Sequence, residues 1–308
     1  MENTVQLWTC FLDYGIVKLF YYFKERFKEF FNISMLQLDK QTLRKLQLAE
    51  LELLKEINRI CVKYDIKYNI IAGTMLGAIR HKGFIPWDDD ADVAMLRPEY
   101  ERFREACATE LDANKFYFQD QRNTSGYRWG YGKLRLKNSL FSREYQENMP
   151  YEHGIFLDVF PMDNIPDNYF LRAIHNFHCF CIRKIFWSQI GKRADKNFLK
   201  RIIYTLLSKI PEKTIKDYYS HFVKRSNKKE TLNVRMLMFP SPTKDFGYPR
   251  KWYQDRSLYL FEDAQFPGAT DYDAYLKHCY GDYMKLPPVE KRKVHPVSDI
   301  RIPDNIGE

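Results

Sequence analysis

Four aspartates, Asp88, Asp89, Asp90 and Asp92, fall within five positions of the run AGTMLGAIRHKGFIPWDDDADVAML, residues 72–96. On a strand, alternate side chains share a face about 6.7 Å apart, so Asp88, Asp90 and Asp92 are expected on one face and Asp89 on the other. At an effective dielectric near 20, each neighbouring like-charge pair costs roughly 2 to 3 kcal/mol. An exposed, solvated acidic loop would relieve that repulsion. Here Val93, Ala94, Met95 and Leu96 follow and draw the segment into a core. A bound divalent cation is therefore the expected counter-charge, and hard oxygen ligands suit Mg²⁺ or Mn²⁺.

Asp158 is the second site candidate. It stands between Leu157 and Val159 in the apolar run GIFLDVF, residues 154–160, where an unpaired charge is costly. If that strand lies beside the aspartate strand, three carboxylates converge on one metal; the alternative is a buried Asp satisfied by backbone donors. Gly73-Thr74 follows an apolar run and opens a short helix. Free N–H groups at a helix start, a glycine and a threonine hydroxyl together form a phosphate cradle. Strand, Gly-Thr turn, helix and acidic strand in that order would hold a nucleotide phosphate together with its metal. His175, His178, Cys179 and Cys181 invite a zinc reading, but Phe177, Phe180 and Ile182 interleave with them. Their spacing is not that of a known finger, so a packed helix is expected.

These residues need elements to position them. Apolar periodicity predicts a helix over 42–64, with Leu46, Leu51, Leu54 and Ile57 near 3.6-residue spacing. A strand over 67–72, a short helix over 75–81, a strand over 88–96 and a helix over 98–112 follow. Further strands are expected at 132–137, 154–160 and 257–261, and a helix at 272–280. Residues 168–233 read as helical, aromatic and basic. An amphipathic helix is expected over 5–31, with Trp8, Phe11 and Phe20 interleaved with Lys18, Lys24 and Arg26. The fold class is α/β (α+β), with a mixed sheet.

The chain has 308 residues with 45% hydrophobic content, long enough to bury a sizeable core without disulfides or metal staples. Its six cysteines form no CxxC pair, and no signal-peptide cleavage pattern is present, which predicts reduced thiols in the cytoplasm. The net charge of +9 is uneven. Residues 165–235 hold 16 Lys plus Arg against 5 Asp plus Glu, leaving the rest slightly acidic. Such a segment expects an extended anionic partner, and its aromatic residues favour a membrane surface, met through 1–31 and 170–210, over nucleic acid.

At IIAGTMLGAIRHKGFIPWDDDADVAM, HGIFLDVFPMD and YGDYMKLPPVEKR the sequence resembles the LicD family, whose relatives include fukutin and the fukutin-related protein. The matching segments run from about residue 70 to 295. The resemblance implies a nucleotidyltransferase (polymerase-β-like) fold. Gly73 and Thr74 then match the phosphate turn and Asp90 and Asp92 the paired metal ligands. Asp158 becomes the third carboxylate, with Asp88 assisting. It implies transfer of a phospho-alcohol from a CDP-alcohol, CDP-choline first, onto a glycan or lipid-linked glycan, with CMP leaving. Arg80, Lys133 and Arg135 are the candidate phosphate binders. Asp158 ranks ahead of His153 and Asp163 as the base, while Arg292 and His295 are candidates to reach a substrate. Trp87 is read as core rather than as a stacking platform. The rival activity is nucleotidyl transfer to RNA or protein with release of pyrophosphate; a catalytically dead membrane- or nucleic-acid-binding protein is a third reading. The expected organisation is a membrane-facing helix over 1–35, a catalytic core over 36–164, a helical insertion over 165–240, and completion of the catalytic domain by 241–308. The expected location is peripheral, on the inner face of the cell membrane.

Overall fold

The computed structural model describes residues 38–240, 245–292, 294–304 and 306. The expected helix over 5–31 lies outside them. Helix α1, Lys40–Lys63, is capped by Asp39, whose carboxylate accepts the Gln41 and Thr42 N–H groups. Its apolar stripe Leu46, Leu53, Leu54 and Ile57 is fully buried, which is why an amphipathic sequence forms this helix here. Strand β1 spans only Asn69–Ile70, and α2 runs over Ala72–Arg80. The first residue of α2, Ala72, has a φ of 48°, in the left-handed region. That conformation costs about 1 kcal/mol or more in a residue with a Cβ. The Ala72 N–H donates to Tyr275 Oη at 3.0 Å and so holds the turn.

Strand β2 covers Asp92–Leu96 and α3 covers Arg97–Glu110, with Pro98 in its first turn. Strands β3 (Phe116–Gln119), β4 (Gly132–Leu136), β5 (Leu140–Arg143) and β6 (Phe156–Ile165) follow. Then come helices α4 (Tyr169–Ala194), α5 (Phe198–Leu207) and α6 (Glu212–Ser226). The chain returns through β7 (Asn233–Arg235), β8 (Tyr248–Pro249) and α7 (Lys251–Gln254). It closes with the hairpin β9 (Arg256–Phe261) and β10 (Ala264–Ala269), α8 (Tyr272–Tyr280) and β11 (Val297–Arg301).

The protein is mixed α/β. Its main sheet has the order β1-β2-β6-β4-β3, with β7 joined to the far end of β6 and β8 to β7. Only β2 and β6 run parallel in it; the other pairs are antiparallel. All ten residues of β6 are buried, as a strand covered on both faces requires. A separate two-stranded pair, β11 with β5, sets Val297 opposite Arg143. Helices α4 and α6 enclose a smaller apolar cluster of their own, including Ile182, Phe186, Ile215 and Phe222.

The strand expected over 88–96 begins only at Asp92. Residues 88–91 are irregular, and side chains hold the backbone on either side of that stretch. Gln47 donates to the Asp88 carbonyl at 3.0 Å, and the Asp92 N–H is bound by Thr74 Oγ1 at 2.8 Å. Strict alternation of the four aspartates therefore does not hold. Likewise the strand expected over 67–72 shrinks to two residues, whereas β6 runs on past Phe160 through Pro161.

Candidate functional site

Asp92 on β2 and Asp158 on β6 lie side by side in parallel register, and Lys133 on β4 is the cross-strand partner of Asp158. Three neighbouring strands thus present Asp92, Asp158 and Lys133 in one row, on one face of the pleat. Lys133 and Asp158 form a buried ion pair. Burial pushes the Lys133 ammonium down to about 7 even though Asp158 pulls it up. Its Nζ also sits 3.4 Å from the centre of the Phe156 ring.

The irregular segment before β2 brings the other aspartates to the same place from different directions. Asp88 lies against the start of α2, where a Cβ on Gly73 would meet its Oδ2 at 2.5 Å. The glycine is needed there for close approach, and it admits a carboxylate to the turn read as a phosphate cradle. Thr74 is buried, and its hydroxyl pins the start of β2 by accepting the Asp92 N–H. Asp89 is buried and accepts both the His295 N–H at 2.9 Å and a bond from His295 Nδ1 at 3.0 Å. Asp90 lies 3.5 Å from His295 Nδ1 and 3.9 Å from Arg143. Among the described residues, Asp89, Asp90 and His295 form a group tight enough to hold a metal ion. The register of β11 on β5 accounts for this meeting, since it delivers both His295 and Arg143.

The electrostatics record an excess of negative charge. Burial first, then repulsion from Asp90 and Asp89, pushes Asp88 up to about 8. Burial followed by Asp90 and Asp158 raises Asp92 well above the ordinary range. Asp90 is raised by burial despite His295 and Arg143. A sixth carboxylate, Glu50 on α1, is buried and lifted by desolvation and by all four aspartates. Its Oε2 has no hydrogen-bond partner among the described residues. The residues present therefore fit a divalent cation: hard oxygens, low dielectric and unbalanced charge in one place.

Three cations line one recess beside this row, Lys133, Arg135 and Arg143, together with Trp129, Tyr131 and His153. Arg135 is held in it by Gln119 Oε1 at 2.7 Å and the Gly154 carbonyl at 2.6 Å. Arg80 is near Asp88 electrostatically but donates to the Tyr283 carbonyl at 2.6 Å. Arg292 lies over the Trp87 ring at 4.1 Å, so Trp87 is covered by a cation. Asp163 is removed from the site. Five residues beyond Asp158, it faces the opposite side of the strand and is paired with Arg97 at 2.6 Å and Asn227 at 2.6 Å. His175 and His178 bond Ser226 and Tyr218 on the neighbouring helical layer, and Cys179 is buried.

Sequence reasoning missed Glu50, Arg143 and Asp89 as members of the site. Glu50 alone left a readable signal, a carboxylate on the apolar stripe of α1 between Leu46 and Leu54. Arg143 and Asp89 depend on a long-range strand pairing that spacing does not reveal.

The chain belongs to the LicD family. Residues 65–171, which carry the Gly-Thr turn, the aspartates and Asp158, match the domain described as LicD/FKTN/FKRP, nucleotidyltransferase domain. Over 271 residues the chain is 30% identical to the lipopolysaccharide cholinephosphotransferase LicD of Haemophilus influenzae, spanning 85% of this chain and 99% of that protein. It is also 36% identical over 125 residues to the uncharacterized protein RP689 of Rickettsia prowazekii, 34% of this chain and 43% of that protein.

Proposed function

We propose that the protein is a metal-dependent CDP-alcohol phosphotransferase of nucleotidyltransferase fold. It moves phosphocholine from CDP-choline onto a cell-surface glycan or glycolipid precursor. The observation that carries this reading is the row Asp92, Asp158 and Lys133 on three adjacent strands, with Asp88 and Asp90 beside it. The 30% identity to a lipopolysaccharide cholinephosphotransferase over nearly its whole length supports the same class and phosphocholine as the transferred group.

In this mechanism Asp90, Asp92 and Asp158, assisted by Asp88, would hold Mg²⁺ or Mn²⁺, which when bound would supply charge neutralisation for the donor phosphates. Gly73 and Thr74 lead α2 toward those phosphates. Lys133, Arg135 and Arg143 face the transferred phosphoryl group from the recess, and Arg80 stands on the far side near Asp88. The acceptor hydroxyl attacks the β-phosphorus in line; its proton passes to Asp158, the phosphorus–oxygen bond to CMP breaks, and CMP leaves. Positioning and electrostatics supply most of the rate for such a transfer.

The helical part supports a peripheral location. Among the described residues no helix is long and apolar enough to cross a membrane. Yet α5 turns its apolar side outward: Phe198 is 70% and Leu206 60% exposed, with Leu199, Ile202 and Ile203 also exposed, while Tyr204 is its buried residue. Lys192 and Arg201 line a groove with Phe198, Ile202 and Leu206 on that side. An apolar face flanked by cations suits the interface of an anionic bilayer. The protein accordingly works as a peripheral enzyme on the cytoplasmic side, with 165–240 as an insertion into the catalytic domain and 1–35 as a further membrane contact.

The test is CMP release. Purified protein with Mn²⁺ is given CDP-choline, CDP-ethanolamine, CDP-glycerol or CDP-ribitol with native membranes as acceptor. Metal-dependent CMP from CDP-choline is expected. Nucleoside triphosphate consumed to pyrophosphate, with no CMP from any donor, would replace this reading by nucleotidyl transfer, which the domain description keeps in view.

A further inference from the structure

A groove with a cavity of 470 Å³ opens where the segment leading into β4 meets α4 and the chain at 238–240. Its apolar wall is built by Trp129, Tyr131, Phe180, Trp187 and Phe239, and Arg128, Arg183 and Lys184 line it as well. No carboxylate, carboxamide, serine or threonine lines it among the described residues. A sugar's hydroxyl protons need acceptors, of which this lining offers few, and burying hydroxyls without partners is costly. A hydrocarbon chain needs none.

Of the three cations, Arg183 donates to the Phe239 carbonyl at 3.1 Å and Lys184 to Tyr204 Oη at 3.0 Å, which leaves Arg128 the least satisfied. Arg128 is only 7% exposed, and its Nη1 has no hydrogen-bond partner among the described residues. The Glu212 carboxylate stands 3.7 Å from its Nη2, too far for a hydrogen bond. A buried guanidinium so poorly satisfied is destabilised, and a ligand oxygen would relieve it. Burial indeed depresses the Arg128 pKa, with Glu212 opposing.

The groove adjoins the recess of the candidate active site. Trp129 and Tyr131 line both the groove and the recess that holds Lys133. Tyr131 packs on Phe160, 4.6 Å between ring centres, two residues beyond Asp158 on β6. On the other side, Phe180 and Trp187 continue the exposed stripe Phe170, Ile174 and Phe177 of α4.

We propose that this groove binds a lipid phosphate, hydrocarbon against Trp187, Phe180 and Phe239 and phosphate against Arg128, Arg183 and Lys184. Resting on the phosphotransferase reading, it is the subsite for the lipid-anchored end of the acceptor. The acceptor class is then a phospholipid-linked saccharide rather than a free glycan.

Binding is measured on the full chain without donor or metal, by calorimetry and tryptophan fluorescence, with decyl phosphate below its micelle concentration as probe. Decyl alcohol and inorganic phosphate are the controls. Decyl phosphate is expected to bind at least about tenfold more tightly than either, because neither control makes both contacts. Trp187→Ala, Arg128→Met and the double variant Arg183→Gln/Lys184→Gln should each weaken it about tenfold, consistent with loss of a charge-assisted contact or an aromatic wall. The double variant alters half-buried residues, so it remains informative if Arg128→Met does not fold by circular dichroism. Decyl alcohol or inorganic phosphate binding as tightly as decyl phosphate, or unchanged affinity in folded variants, overturns the assignment. Since no donor is present, a wild-type chain that binds decyl phosphate but releases no CMP counts against the phosphotransferase reading alone.

Discussion

The sheet around Asp158 and the helical unit of α4 and α5 break the same rule in opposite directions. Around Asp158 the protein gathers six carboxylates, Glu50, Asp88, Asp89, Asp90, Asp92 and Asp158, where charge is poorly solvated. On α5 it leaves Phe198, Leu199, Ile202, Ile203 and Leu206 in water. Scattered apolar residues on a surface mean little, but a contiguous apolar helix face does. Both regions are destabilising as they stand, and each is relieved by something outside the chain. For the carboxylates the proposed relief is a divalent cation and a phosphate; for the helix face it is a bilayer. The contrast with Asp163 sharpens the point. That carboxylate is fully buried but matched by Arg97 and Asn227, so it asks for nothing further.

The largest effect is expected at Asp92. Asp92→Asn removes a charge but keeps the side-chain volume, and CMP release should fall by about 10³-fold or more, as loss of a charge-neutralising group does. The same substitution should stabilise the metal-free fold. The Asp92 pKa is raised in the folded state above its ordinary 3.8, so its contribution to stability is complete below that value and is lost as pH rises. The stability gap between Asp92→Asn and wild type in EDTA should therefore widen from pH 5 to pH 7, by up to about 1.4 kcal/mol per pH unit. Adding Mn²⁺ should raise the melting temperature of wild type and not that of the variant. Full activity in Asp92→Asn, or a gap that does not change with pH, would remove the comparison's first half.

The matched carboxylate should behave in the opposite way. Asp163→Ala leaves Arg97, whose side chain is 12% exposed, without its main partner. Breaking a buried pair from one side costs about 3–5 kcal/mol, or roughly 10 °C in melting temperature for a domain of this size. The loss should be unaffected by Mn²⁺. Metal-dependent rescue of Asp163→Ala would show that this residue belongs to the site after all.

Much of the arrangement was legible because it is local. Helix α1, the short helix α2 whose first turn holds Gly73-Thr74, and α8 over Tyr272–Tyr280 follow from signals within a few residues. The neighbouring of Asp92 and Asp158 was legible too, since a carboxylate inside an apolar strand demands a reason nearby. What escaped depends on contacts distant in sequence. His295 reaches Asp89 across 206 positions through the β5–β11 pairing, and no pattern in either segment announces that pairing. The irregular path of residues 88–91 was also unreadable. Its ends are held by Gln47 and Thr74, which take backbone groups that a strand would have used. Periodicity describes what a segment prefers alone, and tertiary hydrogen bonds overrode it there.

The smallest expected effect tests the other half of the comparison. Leu199 and Ile203 lie on the outward face of α5, 68% and 54% exposed, so Leu199→Ser/Ile203→Ser removes apolar surface without opening a cavity. Because water already surrounds these side chains, the melting temperature should stay within about 2 °C of wild type. Partition onto vesicles carrying anionic phosphatidylglycerol should drop by about 30-fold, since each of the two side chains inserted in the interface contributes about 1 kcal/mol. High salt should weaken the wild-type chain further by screening Lys200 and Arg201. If the variant floats with vesicles as well as wild type does, the exposed face is not the membrane contact. If instead the variant melts well below wild type, the face packs against protein, and its exposure loses the meaning that the buried carboxylates share with it.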